Sequence, residues 1–157
     1  MAPTNRTTLR VYGHPSDAPP LDWAWVDGEL VASLTYWTMP AGEGQPHPRP
    51  IWGLWHYDCL HLSIGSQVIA RVATPGAPIS VHLDSGVDVV IIEGRVVGPA
   101  TDAGVIELYN AKYEWNYTPD EYGPLTVIAP LRILAWRAGG WAGRDSFQQA
   151  GRWDFAR

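Results

Sequence analysis

Apolar residues fall in short β-branched and aromatic runs separated by glycine- and proline-bearing turns, the pattern of a strand-rich chain. Val87–Val97 is the strongest strand candidate and Gly98-Pro99 stops it. Ile79–Leu83 precedes it across the turn Asp84-Ser-Gly86, Leu60–Ile64 forms a shorter run, and Leu125–Trp136 closes the set. Leu30–Met39 alternates loosely into the turn Pro40-Ala-Gly-Glu-Gly44, and Gln45–Trp55 returns as a second extended segment, so the two predict a hairpin.

One segment carries helical spacing instead. Val105, Ile106, Leu108, Tyr109, Tyr113 and Trp115 recur at near-helical intervals within Ala103–Asn116, behind Asp102 as a capping residue. Leu21–Trp25 starts a short helix, and Gly65–Thr74 is another short one, ended by Pro75-Gly-Ala-Pro78. Residues 1–20 hold four prolines without periodicity and read as an irregular arm, leaving 21–157 as a single domain. About six strands with one helix before the last predict a small antiparallel barrel.

The second segment is unusual. Pro46, Pro48 and Pro50 occupy alternate positions and lack N–H groups, so this strand lies at an edge, protected by proline or facing a ligand. The C-terminal tail, with Trp141, Phe147, Trp153 and Phe155, exposes aromatic surface unless it docks on the barrel.

Composition narrows the function. Ten arginines and one lysine are scattered through a chain of net charge −5, which argues against duplex nucleic acid as a partner. No apolar run approaches the ~18 residues of a membrane helix, and the lone Cys59 offers no internal disulfide, so the expectation is a cytoplasmic protein without membrane partners. Nine tryptophans and seven tyrosines against two phenylalanines favour flat surfaces with polar handles, as in a core, an interface or a ligand pocket.

Single polar residues suggest chemistry. His47, His56, His61 and His82 lack partners at ligand spacing, so no metal site is expected. Ser63, His82 and Asp84 could be assembled into a triad, but no nucleophile elbow supports it. Lys112 is either a solvated helical lysine or a cation held among Tyr109, Tyr113 and Trp115. Glu93 interrupts an apolar strand and, on an inward face, becomes an acid–base group or half of an ion pair with Arg95. Tyr36, Trp37, Trp52 and Trp55 divide between core and interface.

The serial order of His47-Pro-Arg-Pro-Ile-Trp-Gly53, Leu62-Ser-Ile-Gly65, Ala70-Arg71, Ser80-Val-His-Leu83, Val89-Val-Ile-Ile-Glu-Gly94 and Tyr109-Asn-Ala-Lys-Tyr113 resembles the pyridoxamine 5′-phosphate oxidase-like family. These are flavin and deazaflavin oxidoreductases; Arg152-Trp-Asp-Phe155 is similar to the family's C-terminal strand. The resemblance implies a mainly β fold, a six-stranded antiparallel split β-barrel. It also implies a homodimer binding FMN or the 8-hydroxy-5-deazaflavin coenzyme F-420 at its interface and reducing a small aromatic or conjugated substrate. By that correspondence Arg49, Ile51 and Trp52 contact the cofactor ring, Ser63, Ser66, Gln67 and Arg71 its phosphate, and Tyr109, Tyr113 and Trp115 the substrate.

The chain departs from the family at the phosphate segment, where Val68 and Ile69 stand in place of a basic pair. A phosphate monoester carries ~1.5–2 negative charges and needs charge-assisted donors. The alternative is therefore the same barrel without a cofactor, an enzyme or binding protein for a hydrophobic small molecule, with His47, Glu93, Tyr36 and Lys112 as acid–base or orienting groups. A haem-binding variant is the third reading, since Val68 and Ile69 suit a porphyrin.

Overall fold

A computed structural model describes residues 5–7, 20–42, 44–138 and 147–156. Trp141 and most of the N-terminal arm lie outside the described residues. No helix among the described residues is long and apolar enough to cross a membrane.

Two long strands organise the molecule. β7 (Asp88–Pro99) pairs with β8 (Thr126–Ala138) along nearly its full length. Val90, Ile92 and Val96 of β7 alternate into the core opposite Ala135, Ile133 and Ile128 of β8, respectively. Burying one such aliphatic side chain contributes ~1.5–3 kcal/mol, so this ribbon is the main stabilising element. A register shift lies between Glu93 and Gly94, where a Cβ on Gly94 would meet the Ala129 carbonyl oxygen at 2.6 Å.

Beyond β7 the sheet continues through β6 (Pro78–His82) and β2 (Tyr36–Pro40) to β3 (Arg49–Ile51) at the edge. The other side of β8 divides. Its first residues, Thr126–Ile128, pair with β5 (Cys59–Leu62), which carries β4 (Gly53–His56); from Arg132 onward β8 pairs with β9 (Phe147–Asp154), which carries β1 (Asn5–Thr7). Pro130, which has no N–H to give a neighbour, sits between the two partners. This bifurcation makes an antiparallel split barrel. The described residues hold nine strands where the sequence predicted six, because one segment divides in two at Trp52 and both termini add strands.

Four helices among the described residues complete the fold: α1 (Trp23–Ala32), α2 (Gln67–Val72), α3 (Ala103–Tyr113) and α4 (Pro119–Tyr122). Their caps are side-chain oxygens of Asp22, Ser66, Asp102 and Thr118, each accepting a backbone N–H of the first turn. α1 is longer than expected and takes Leu30–Ala32 from the predicted strand, which begins only at Tyr36. Its fully buried Val26 and Leu30, four residues apart, share the face that packs on the barrel.

The segment Gln45–Trp55 is two strands. Arg49–Ile51 pairs with β2, as the hairpin reading expected, with Pro50 opposite Trp37. At Trp52 the chain turns, and Gly53–His56 pairs instead with β5 across the turn Tyr57-Asp58, both of whose residues have positive φ. The C-terminal segment docks as β9, leaving Trp153 without exposure. A smaller second core of Leu54, Val105, Tyr109, Tyr117 and Leu125 holds α3 against β4.

Candidate functional site

The β3–β4 corner, the end of β5 and the C-terminal end of α3 enclose a cleft of ≈ 370 Å³. Arg49, Pro50, Ile51 and Trp52 form one side; Ser63, Gly65 and Ser66 form another; Tyr109, Trp115 and Tyr122 complete it. The Ser63 N–H donates to the Trp52 carbonyl at 3.0 Å and ties the end of β5 to the corner.

Aromatic rings dominate the geometry. Trp52 stacks parallel on Tyr113, with ring centroids 4.7 Å apart and planes within 1°. It remains 48% exposed, so a planar ligand can reach it without displacing a ring. Trp115 meets Trp52 edge-on at 86° and 5.7 Å, and Tyr122 lies 4.9 Å from Trp115. Offset and edge-to-face pairs of this kind add ~0.5–1.5 kcal/mol each beyond burial and hold the rings in place.

At the other end stand hydroxyls and one guanidinium. The Ser66 hydroxyl caps α2 by accepting from the Ile69 N–H at 3.5 Å, and Arg49 donates to the Pro48 carbonyl at 2.9 Å. Tyr109 is fully buried, and its hydroxyl has no hydrogen-bond partner of normal geometry among the described residues. Burial pushes this phenol up, and the nearby Ser63 hydroxyl counteracts part of that rise. A buried hydroxyl so weakly engaged in a cleft wall is a natural hydrogen-bonding point for a ligand's polar edge.

Tyr109→Phe therefore removes no hydrogen bond of normal geometry, only the loose contact with the Ser63 hydroxyl. Its unfolding free energy is expected to stay within about 0.5 kcal/mol of wild type, while ligand affinity falls by up to about tenfold. A loss above about 1.5 kcal/mol in urea unfolding would show that the hydroxyl is already satisfied inside the protein.

Seven residues named from sequence line this one cleft: Arg49, Ile51, Trp52, Ser63, Ser66, Tyr109 and Trp115. Tyr113 stands behind it, carrying Trp52. Gln67 and Arg71 are exposed on α2 and do not line it. Ile69 is fully buried in the main core, and Val68 is half-buried. An apolar residue at position 69 is thus required by packing, since an unpaired charge there would cost several kcal/mol.

Of the four acid–base candidates only Tyr36 and Lys112 meet. His47 borders a small hollow beside Pro40, Val72 and Pro78. Tyr36 is fully buried and donates to the Leu30 carbonyl at 2.6 Å; Lys112 reaches it from α3 at 2.9 Å. The inward reading of Glu93 is corrected: Val90, Ile92 and Val96 face the core, and Glu93 lies on the opposite, outer face. Its partner is Arg132 of β8, directly opposite at 3.4 Å, whereas Arg95 donates to the Gly76 carbonyl.

The outer groove that Glu93 lines is larger, ≈ 520 Å³, but Glu93, Arg132 and Asp154 in it are engaged with one another and Arg95 with the Gly76 carbonyl. Arg132 also contacts Asp154 at 3.0 Å, and Asp154 accepts from Arg152 as well. Those bonds hold the Asp154 carboxyl below the usual carboxylate range. Among the described residues no group of three or more metal-binding side chains converges. His61 is buried opposite Leu54 and burial lowers its pKa, so it is a neutral core residue.

Tyr122 was missed by sequence reasoning. Its position depends on the turn of α4, where Thr118 caps and Pro119 starts the helix. The Thr-Pro-Asp-Glu run was the available signal.

No protein-family model matches the chain, and no curated protein matches it. Solved structures do. An FAD-binding protein from Mesorhizobium loti superposes with a TM-score of 0.53 at 17% identity, over 84% of this chain and 93% of its own. The FAD and heme binding protein from Mycobacterium smegmatis gives 0.54 at 18% identity, over 86% and 72%. A further FAD-binding protein from Mycobacterium smegmatis gives 0.50 at 13%, over 86% and 98%. This chain shares their split-barrel fold. At such identities the likeness concerns the backbone, and the side chains of the cleft carry the functional argument.

Proposed function

We propose that this split-barrel protein binds a flavin-type cofactor in the Trp52 cleft and acts as an oxidoreductase on a small aromatic or conjugated substrate. One observation carries the reading: an accessible indole, held parallel to Tyr113, beside a buried Tyr109 hydroxyl that has only a loose contact with Ser63 among the described residues. A tricyclic ring with a hydrogen-bonding edge complements both features. The flavin names of the structural neighbours add support.

In this reading FMN or the deazaflavin coenzyme supplies hydride transfer when bound. Ile51 and Arg49 offer the backbone of the edge strand, Trp52 the stacking surface, and Tyr109 a donor to the polar edge. Ser63 and Ser66 face the phosphate end, with Arg49 as the one cation lining the cleft among the described residues. Trp115 and Tyr122 border the substrate side with apolar ring surface. Dimerisation would cover the outer sheet face, where Ile91 and Leu134 pair in register and remain half-buried. A cytoplasmic location accords with one free cysteine.

The scarcity of cations at the phosphate end favours one alternative, a cofactor-free pocket for a hydrophobic aromatic molecule. Comparing FMN with riboflavin decides between weak and strong use of the phosphate. The proposal predicts a flavin absorption band in the purified protein, or binding in the micromolar range, about −8 kcal/mol. With Arg49 the one cation among the described lining residues, FMN should exceed riboflavin by no more than about tenfold. A colourless protein that binds neither flavin nor deazaflavin would leave the cofactor-free pocket.

A further inference from the structure

Directly behind the aromatic wall lies a second polar cluster. Lys112, the single lysine of the chain, extends from the last turn of α3. Its Nζ donates to the Tyr36 hydroxyl at 2.9 Å and to the Gly53 carbonyl at 3.0 Å. It also lies 4.9 Å and 5.4 Å from the ring centroids of Tyr36 and Tyr113. The Tyr113 hydroxyl accepts from the Gly53 N–H at 2.8 Å and faces the carbonyls of Leu34 and Gly53.

These bonds converge on the residue that follows Trp52. Gly53 cannot be replaced without displacement, because a Cβ there would meet Leu62 Cδ2 at 2.8 Å and the His61 carbonyl at 3.0 Å. The ring of Tyr113 is the one on which Trp52 stacks. Carbonyl, hydroxyl and ring therefore connect the ammonium to the plane of the indole.

We propose that Lys112 is a positioning residue for the cleft: its ammonium clamps the Trp52–Gly53 corner through the Gly53 carbonyl and Tyr113, and thereby sets the plane of the Trp52 ring. The importance of that plane for ligand binding rests on the planar-ring reading of the cleft given above.

The charge itself is required. A charge-assisted hydrogen bond is about twice as strong as a neutral one, and cation–π attraction disappears with the charge. The titratable groups facing Nζ are Tyr36 from β2 and Tyr113 from its own helix; β4 contributes only the Gly53 backbone. Among the described residues no carboxylate lies within ion-pair distance of it. Burial lowers Lys112 to about 8, so below that pH the fold carries the charge at a cost to its own stability. A group held charged against the interest of the fold, and aimed beside the ligand platform, fits a positioning role.

FMN affinity and thermal stability, measured from pH 7 to 9 in wild type, Lys112→Met and Lys112→Arg, test the clamp. Wild-type affinity is expected to fall several-fold through a midpoint near pH 8. Lys112→Met should bind at least about tenfold more weakly at pH 7 while keeping its Tm. Lys112→Arg, permanently charged, should bind within about threefold of wild type at pH 7 and keep that affinity to pH 9. Equal affinity in Lys112→Met, or a pH-independent wild type, overturns the proposal.

A ligand-free readout separates this proposal from the cofactor reading. The Trp52 contribution to fluorescence, taken as wild type minus Trp52→Phe, should titrate near pH 8 and lose that transition in the Lys112→Arg background. If FMN fails to bind while the transition appears, the cofactor reading falls and the clamp stands; if FMN binds and the transition is missing, the clamp falls.

Discussion

Trp153→Ala is expected to destabilise the protein by about 4 kcal/mol, the middle of the ~3–5 kcal/mol range for removing a buried tryptophan. Trp153 is fully buried, pairs in register with Ile133 and packs on Trp23 of α1 with centroids 5.5 Å apart. Its ring lies over Gly151, where a Cβ would collide with it. Truncation would therefore empty a cavity and release both the last strand and the first helix. At ~2–4 °C per kcal/mol for a domain of this size, Tm should fall by about 8–16 °C. Urea unfolding reads the effect, and a loss below about 1 kcal/mol would mean that β9 does not dock as described.

The second large effect is alkaline. Burial holds Tyr113 and Tyr117 up to about 12, and raises Tyr36 and Tyr109 too. The folded state thus keeps protons that the unfolded chain releases near pH 10, so this contribution is intact below pH 10 and is lost as pH rises toward 12. Lys112 acts oppositely. Its lowered pKa makes the charged form costly, so stability rises from about pH 8, where the folded lysine releases its proton, toward the unfolded value of 10.5. Together they predict a maximum between pH 9 and 10 and a loss of about 2–3 kcal/mol by pH 12, counting Tyr113 and Tyr117 at roughly half strength for screening. Urea midpoints across that range check it; a monotonic decline from pH 7 would contradict the buried ammonium.

The cleft was more legible in the sequence than its chemistry. Alternating prolines mark an edge strand by removing donors, and that local effect fixed the setting of Arg49 and Ile51. Glu93 shows where such reasoning stops: alternation tells which residues share a face, but whether that face is inside depends on which neighbours cover the sheet. The same limit applies to Leu30, whose apolar neighbours fit a strand equally well until the Asp22 cap starts a helix. Lys112 and Trp153 acquire their roles from Tyr36 and Trp23, distant in sequence, through contacts that no local pattern encodes.

The central claim is that the Trp52 face receives a planar ring. The most direct test is an FMN titration at neutral pH, followed by quenching of flavin fluorescence, on wild type and Trp52→Ala side by side. The expected result is micromolar binding to wild type and a loss of about tenfold or more in the variant. Equal binding to both proteins, or none to wild type, would contradict the account.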